Sequence, residues 1–453
     1  MAADPIQAAI DRAREADDRD AVFAALSPHR DRLGDDRRLA YVWAEALRTS
    51  PKRPTLRDEA RAILEAWPHE PALVGRVADA LLRADERPLD EPPLDPQGAL
   101  LAAGALDRCS GALDPEAARD PEIGGRLLAQ RAHALRLLGP GRHDEAVTLL
   151  ERAIALDPDR AQWHFELGLL HKHRRDFASM RASAEHAARL EPSRGALFNL
   201  AIAATAAGDA ALAKDAWDRL GIATTVREGG LPMASELAPV KVRLATRGSG
   251  LGEDALPEQA ASFEAVWVQP MSPCHGVVRS ATVRDAVADF GDVVLFDAAP
   301  VAILEHEGRK VPCLPLLGVL RAGGELRCRF AAMQQRDGQL EALGEALPEG
   351  ARLLATAHRI ERVCPRCAAG ETLTKHEHLP AEEHRIVYGK LIVSEGMEPA
   401  RVAEALETLR DAHSGVLLAV PGLYEALGDT PRAGKHHQRW GAIERAVGAR
   451  GGA

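Results

Sequence analysis

Two prolines 34 residues apart constrain this chain more than any other feature. Leu156-Asp157-Pro158 and Leu190-Glu191-Pro192 close two stretches that each carry a helical apolar period. The residue before a proline is pushed out of the α region, so each triplet ends a helix. In the first stretch Val147, Leu150 and Ile154 recur at i, i+3 and i+7, one buried stripe along one helix. Pro140-Gly141 and Gly208-Asp209 supply turns between helices. Three consecutive helix–turn–helix units therefore span Leu127 to Leu220. A single pair cannot bury its own apolar face, so such units must stack.

The small-residue pattern narrows the choice. It runs through Ala134, Ala146 and Ala153 in the first unit and Leu167-Gly168, Phe177 and Ala187 in the second. The third shows Leu200-Ala201, Gly208-Asp209, Ala213 and Trp217. On these residues the stretch resembles the tetratricopeptide repeat (TPR) family, with departures at Met180 and Ala184. The resemblance implies a stacked helical array whose concave surface binds a protein or peptide partner. Residues 5–110 carry helical patterning as well, so 1–227 is expected to form one TPR-like α-solenoid. By the family's register Arg131, Lys172, His173 and Asn199 fall at inward, partner-binding positions. Arg131 and Asn199 match places where peptide-clamping members carry a basic residue and an asparagine, whereas Leu135 stands where that clamp needs a second asparagine.

Net charge bears on the partner. At −10 and a pI near 6.0, the chain lacks the basic face that phosphate binding needs, so nucleic acid is not expected. No apolar run approaches the ~18 residues of a membrane span. The start, Met1-Ala2-Ala3-Asp4-Pro5, lacks the basic and apolar regions of a signal peptide, and a cytoplasmic location is expected. Six cysteines in 453 residues are too few for a disulfide scaffold.

Helical periodicity stops near Ile222. Residues 228–261 read as a linker with a possible strand at Val240, Val242 and Leu244. Residues 262–380 read as an α+β domain, mainly antiparallel. Its expected elements are a strand near Phe263–Val268, a hairpin of Val293–Phe296 with Val301–Leu304, strands at Leu326–Met333 and Leu353–Val363, and a short helix at Gln339–Leu347. Asp289, Asp292 and Asp297 fit turn and strand-end carboxylates. Beyond this domain, residues 381–450 are expected to form C-terminal TPR-like helical hairpins, Glu382–Val393 with Pro399–Leu409 and Val416–Leu427 with Thr430–Ala446. The chain is thus expected to be multidomain: α-solenoid, α+β domain, helical hairpins.

The sharpest chemical signal is Cys364-Pro365-Arg366-Cys367, followed by His376 and His378. Two thiolates at this spacing can close on one metal, and two imidazoles complete a tetrahedral structural zinc site. Unligated thiols and a redox disulfide remain open alternatives for the pair. Gly370, His376, His378 and Glu383 also resemble the first metal-binding motif of the cupin family, which implies iron or manganese with open positions. Two functions follow. The first is a non-enzymatic interaction scaffold with structural zinc. The alternative is a metal-dependent enzyme or sensor centred on residues 364–384, with the repeats recruiting its substrate.

Overall fold

The computed structural model describes residues 4–50, 54–83, 96–227, 230–245, 263–283, 286–363, 382–413 and 415–448. The proline-rich stretch 84–95, the glycine-rich 248–252, and Cys364, Cys367, His376 and His378 lie outside them. The chain divides into a helical unit that reaches Ser235 and a sheet unit that begins at Glu236.

The helical unit opens with α1 (Pro5–Glu15), α2 (Arg19–Leu26), α3 (Arg37–Thr49), α4 (Leu56–Ala66), α5 (Pro71–Arg83) and α6 (Pro96–Gly111). It continues with α7 (Arg126–Leu137), α8 (His143–Leu156), α9 (Ala161–His173), α10 (Phe177–Leu190), α11 (Arg194–Ala206) and α12 (Ala210–Arg219). The proline signals act as the sequence requires: α8 stops at Leu156 and α10 at Leu190, and φ at Asp157 and Glu191 is −143° and −145°. The following starts are capped, since Asp176, Ser193 and Asp209 accept from the backbone N–H of Ser179, Ala196 and Leu212. One apolar core runs unbroken from Ile6 to Leu170, as a continuous stack demands. At the far end Trp217 is fully buried, edge-on to Phe198 at 4.9 Å. A two-stranded ribbon, β1 (Thr225–Val226) with β2 (Pro232–Met233), packs against α12.

The sheet unit holds two sheets. The first contains β3 (Val240–Ala245), β4 (Phe263–Ser272), β5 (His275–Val278), β6 (Val293–Phe296), β7 (Ala302–His306) and β8 (Arg309–Arg321). Strands pair in the order β3-β4-β5-β6-β8, and β3 also pairs in parallel with β8, which closes a five-stranded barrel around Val242, Val266, Val268, Val294 and Phe296. The second contains β9 (Leu326–Gln334), β10 (Ala351–Val363), β11 (Glu382–Val393) and β12 (Val416–Ala419), in the order β10-β11-β9-β12 and antiparallel throughout. One face packs on α13 (Gln339–Glu345), α14 (Pro399–Ala412) and α15 (Pro421–Ala426) through Phe330, Val387, Leu391, Leu343, Val402 and Tyr424. The other face meets α16 (Thr430–Gly448) through Ala331, Met333, Ile386 and Ile443.

Four expectations change. The possible strand at Val240, Val242 and Leu244 is present as Val240–Ala245, but it belongs to the barrel, so the region read as a linker contributes to the sheet unit. Glu382–Val393 is a strand paired on both sides, not the first helix of a C-terminal hairpin. Its Ile386-Val387 and Ile392-Val393 pairs favour the pleated backbone. Gly389 has a reason only in a strand, where an added Cβ would come within 2.1 Å of the Leu354 carbonyl oxygen. Val416–Leu427 splits into strand β12 and the short α15, because Pro421 starts a new helix rather than continuing one. Finally, Val293–Phe296 pairs with β5 and β8; the hairpin is β7–β8, turned at Glu307-Gly308, both with positive φ (50° and 73°).

The aspartates sit at turns, as expected, and tie the unit together. Lys390, 6% exposed, donates to Thr282 Oγ1 at 2.6 Å and to the Asp289 carboxylate. Asp292 accepts from the Gly323 N–H at 2.7 Å and pairs with Arg327. Asp297 accepts from the backbone N–H of Ala299. Cys274 and His275 are both fully buried, and the His275 Nδ1 lies 2.5 Å from Ser272 Oγ. Burial pushes the His275 pKa down to about 4.

Candidate partner-binding groove

A helix turns about 100° per residue, so positions i, i+3, i+4, i+7 share a face. On α7 those positions are Arg126, Ala129, Gln130 and His133, with Arg136 one turn further. The opposite stripe of α7, with Leu127, Leu128 and Leu135, enters the core. The polar stripe meets Asp79 and Leu82 of α5 and Gln162, Trp163 and Glu166 of α9, and together they line a cleft of about 570 Å³. Three first helices of successive pairs thus contribute to one groove. Gly125, just before α7, lets the Trp163 ring sit close, since an added Cβ would fall 2.6 Å from it.

The groove is a lattice of opposite charges. Gln130 Nε2 donates to Asp79 Oδ1 at 2.5 Å and to the Gly75 carbonyl at 3.1 Å, and Arg126 lies 3.5 Å from Asp79. Arg136 Nε stands 3.7 Å from Glu166 Oε2, and Gln162 Nε2 donates to Glu166 Oε1 at 3.0 Å. Arg160 stacks over the Trp163 ring at 5.3 Å. Three buried polar atoms here, Gln130 Oε1 and the ion-paired Arg136 Nε and Glu166 Oε2, have no hydrogen-bond partner among the described residues. Buried polar groups are nearly always hydrogen-bonded, so three such atoms in one cleft mark it out.

The four positions expected to face a partner lie elsewhere. Lys172 and Asn199 are buried, 6% and 4% exposed, and Lys172 Nζ donates to Asn199 Oδ1 at 3.1 Å. Arg131 pairs with Asp107 and, at 2.6 Å, with Glu145. His173 is exposed, its ring tilted 5.7 Å from His143. Only Lys172 and Asn199 are brought into contact with one another. The groove residues were findable: they form the polar stripe on a helix whose other stripe is apolar.

No known family model matches the chain, and no curated protein does. Among solved structures it is similar to MamA, at 16% identity and a TM-score of 0.30 over 41% of this chain and 91% of that one. It is similar to PilF of Pseudomonas aeruginosa at 13% identity and a TM-score of 0.35, covering 48% and 88%. It is also similar to YrrB, described as a TPR protein with an unusual peptide-binding site, at 12% identity and a TM-score of 0.31, covering 43% and 90%. At these scores the reading of the helical unit rests on its own helix pairs, caps and 34-residue spacing. Among the described residues, no helix is long and apolar enough to cross a membrane. Among the same residues, no three His, Cys, Asp or Glu side chains are placed to hold a metal.

Proposed function

We propose that this protein is an interaction scaffold whose helical unit takes an extended polypeptide in the groove of α5, α7 and α9. The observation that carries this reading is the cleft itself, where the buried Gln130 Oε1 and the buried Arg136–Glu166 pair lie beside apolar Leu82, Ala129 and Trp163. A peptide main chain offers both N–H and C=O groups at short spacing, which such a mixed set can satisfy. Arg131 and the Lys172–Asn199 pair then stiffen helices behind or beside the groove. A random peptide library displayed on phage and selected on the full chain tests the reading. Enriched peptides should bind about tenfold or more weakly to Gln130→Ala and Arg136→Ala. Peptides that bind both variants as tightly as the parent, or no enrichment over blank beads, would overturn it.

We also infer a structural role for zinc. Strands β10 and β11 stay paired, past a bulge at Ala355–Ala357, as far as Val363 opposite Glu382, so the connection carrying Cys364, Cys367, His376 and His378 leaves and returns at neighbouring backbone positions. Closed Cys2His2 coordination suits a staple on such a connection. Glu383 is exposed on a strand of an open sheet flanked by helices, an architecture different from the barrel that the cupin resemblance implies. Metal content, measured by plasma mass spectrometry on untagged protein, should show one zinc per chain that Cys364→Ser removes. Iron or manganese that survives this substitution would favour the enzyme or sensor reading instead.

A further inference from the structure

The sheet face that meets α16 is not filled to its edge. Ala357 stands opposite Tyr388 on the neighbouring β10, and its small side chain leaves room beside the tyrosine ring. Trp440 of α16 and the Thr282–Val283 backbone of the barrel's β5–β6 connection stand over the gap, enclosing about 140 Å³. A dry cavity of about 150 Å³ is large enough for benzene. This one has two characters. On one side are the rings of Tyr388 and Trp440, with centroids 6.4 Å apart. On the other is Arg329, which is exposed.

Arg329 makes no ion pair among the described residues; one N–H donates to the Val283 carbonyl at 2.9 Å. The planar guanidinium keeps further donors for a carboxylate. Thr282 Oγ1 already accepts from Lys390, which leaves its O–H to donate. None of the described lining residues is acidic, and the Glu444 carboxylate accepts a hydrogen bond from the Tyr388 hydroxyl. Arg359 fixes the tyrosine from outside, stacked at 5.4 Å and donating to the phenolic oxygen at 2.7 Å. The cleft therefore offers two aromatic faces and, at its other side, the donors of Arg329. We propose that it binds a small aromatic carboxylate, the ring against Tyr388 and Trp440 and the carboxylate on Arg329.

The test is calorimetric titration of the full chain with benzoate, benzamide and acetate. Benzamide keeps the ring without the charge, and acetate keeps the charge without the ring. Benzoate should bind about tenfold or more tightly than either, and Arg329→Gln should lose that advantage with an unchanged circular dichroism spectrum. Trp440→Leu, read the same way, should weaken benzoate and leave acetate as weak as before. No heat from benzoate up to about 10 mM, equal binding of benzamide, or full retention by Arg329→Gln would each overturn the proposal.

Discussion

The two units are held together over very different distances along the chain. In the helical unit each helix packs on helices one or two places along the chain, and ion pairs such as Arg181–Glu185 and Lys214–Asp218 join exposed residues one turn apart. In the sheet unit the central strand β11 finds β9 some 51 positions earlier, at Arg385 opposite Gln334. Lys390 reaches Asp289 across 101 positions and is buried there. Exposed pairs contribute about 0–1 kcal/mol each. A buried charge stripped of its partner costs several times more. The array therefore spreads its stability over many small local terms, and the sheet unit concentrates part of its own in a few distant ones.

Breaking the buried pair should show the largest effect. Lys390→Met leaves Asp289 without its ammonium partner and should cost roughly 3–5 kcal/mol. Adding Asp289→Leu should return much of that loss, measured by denaturant melts of single and double variants. A double variant no better than the single one would mean that Thr282 and the surrounding packing, not the charge, hold the site.

Acid should separate the units next. His275 and His436 are both buried, and burial depresses each pKa to about 4. In the unfolded chain each takes a proton near pH 6.5. Their contribution to stability is thus complete above about pH 6.5 and is lost as pH falls from there towards 4, by up to about 1.4 kcal/mol per pH unit per histidine. His436 also accepts the Val420 N–H through Nδ1 at 2.9 Å, a bond that protonation removes. In the helical unit His171 and His186 shift in the same direction, chiefly by burial. Hydrogen exchange at pH 5 should lose protection in β5 and β12 before α9 and α10. The opposite order would reverse the comparison.

Smaller effects sharpen it. Gly291 has φ of +89°, and an added Cβ would fall 2.2 Å from the Glu325 carboxylate, so Gly291→Ala should cost about 1–3 kcal/mol. Asp176→Ala or Asp209→Ala removes one helix cap and should cost about 1 kcal/mol. The exchange that follows a lost cap should stay within the capped helix and its neighbours. Spread across the whole array would show that it unfolds as one block.

This contrast also explains what could be read from the residues. Asp157-Pro158, Glu191-Pro192 and the caps act within one helix turn, so the helix pairs of 127–220 were legible. Leu326–Met333 and Leu353–Val363 were read as strands and became β9 and β10. Residues 382–393 misled because Pro380 and the acids Glu382 and Glu383 imitate a helix start. The strand's partners lie far off in sequence, and local pattern carries no trace of them. The polar stripe of α7 that lines the groove was visible in the sequence, and of the four register positions Lys172 and Asn199 lie buried against one another. Depth in the stack, which no single repeat encodes, decided which polar side chains were enclosed.

The ribbon of β1 and β2 against α12 has a consequence for assembly. A stack of similar helix pairs ends in a face shaped like every internal face, and a second copy could add there as the next pair. Strands cannot mimic the first helix of a pair, so the ribbon interrupts the repeat geometry at Thr225–Met233. Growth of an open filament through this end is thereby disfavoured.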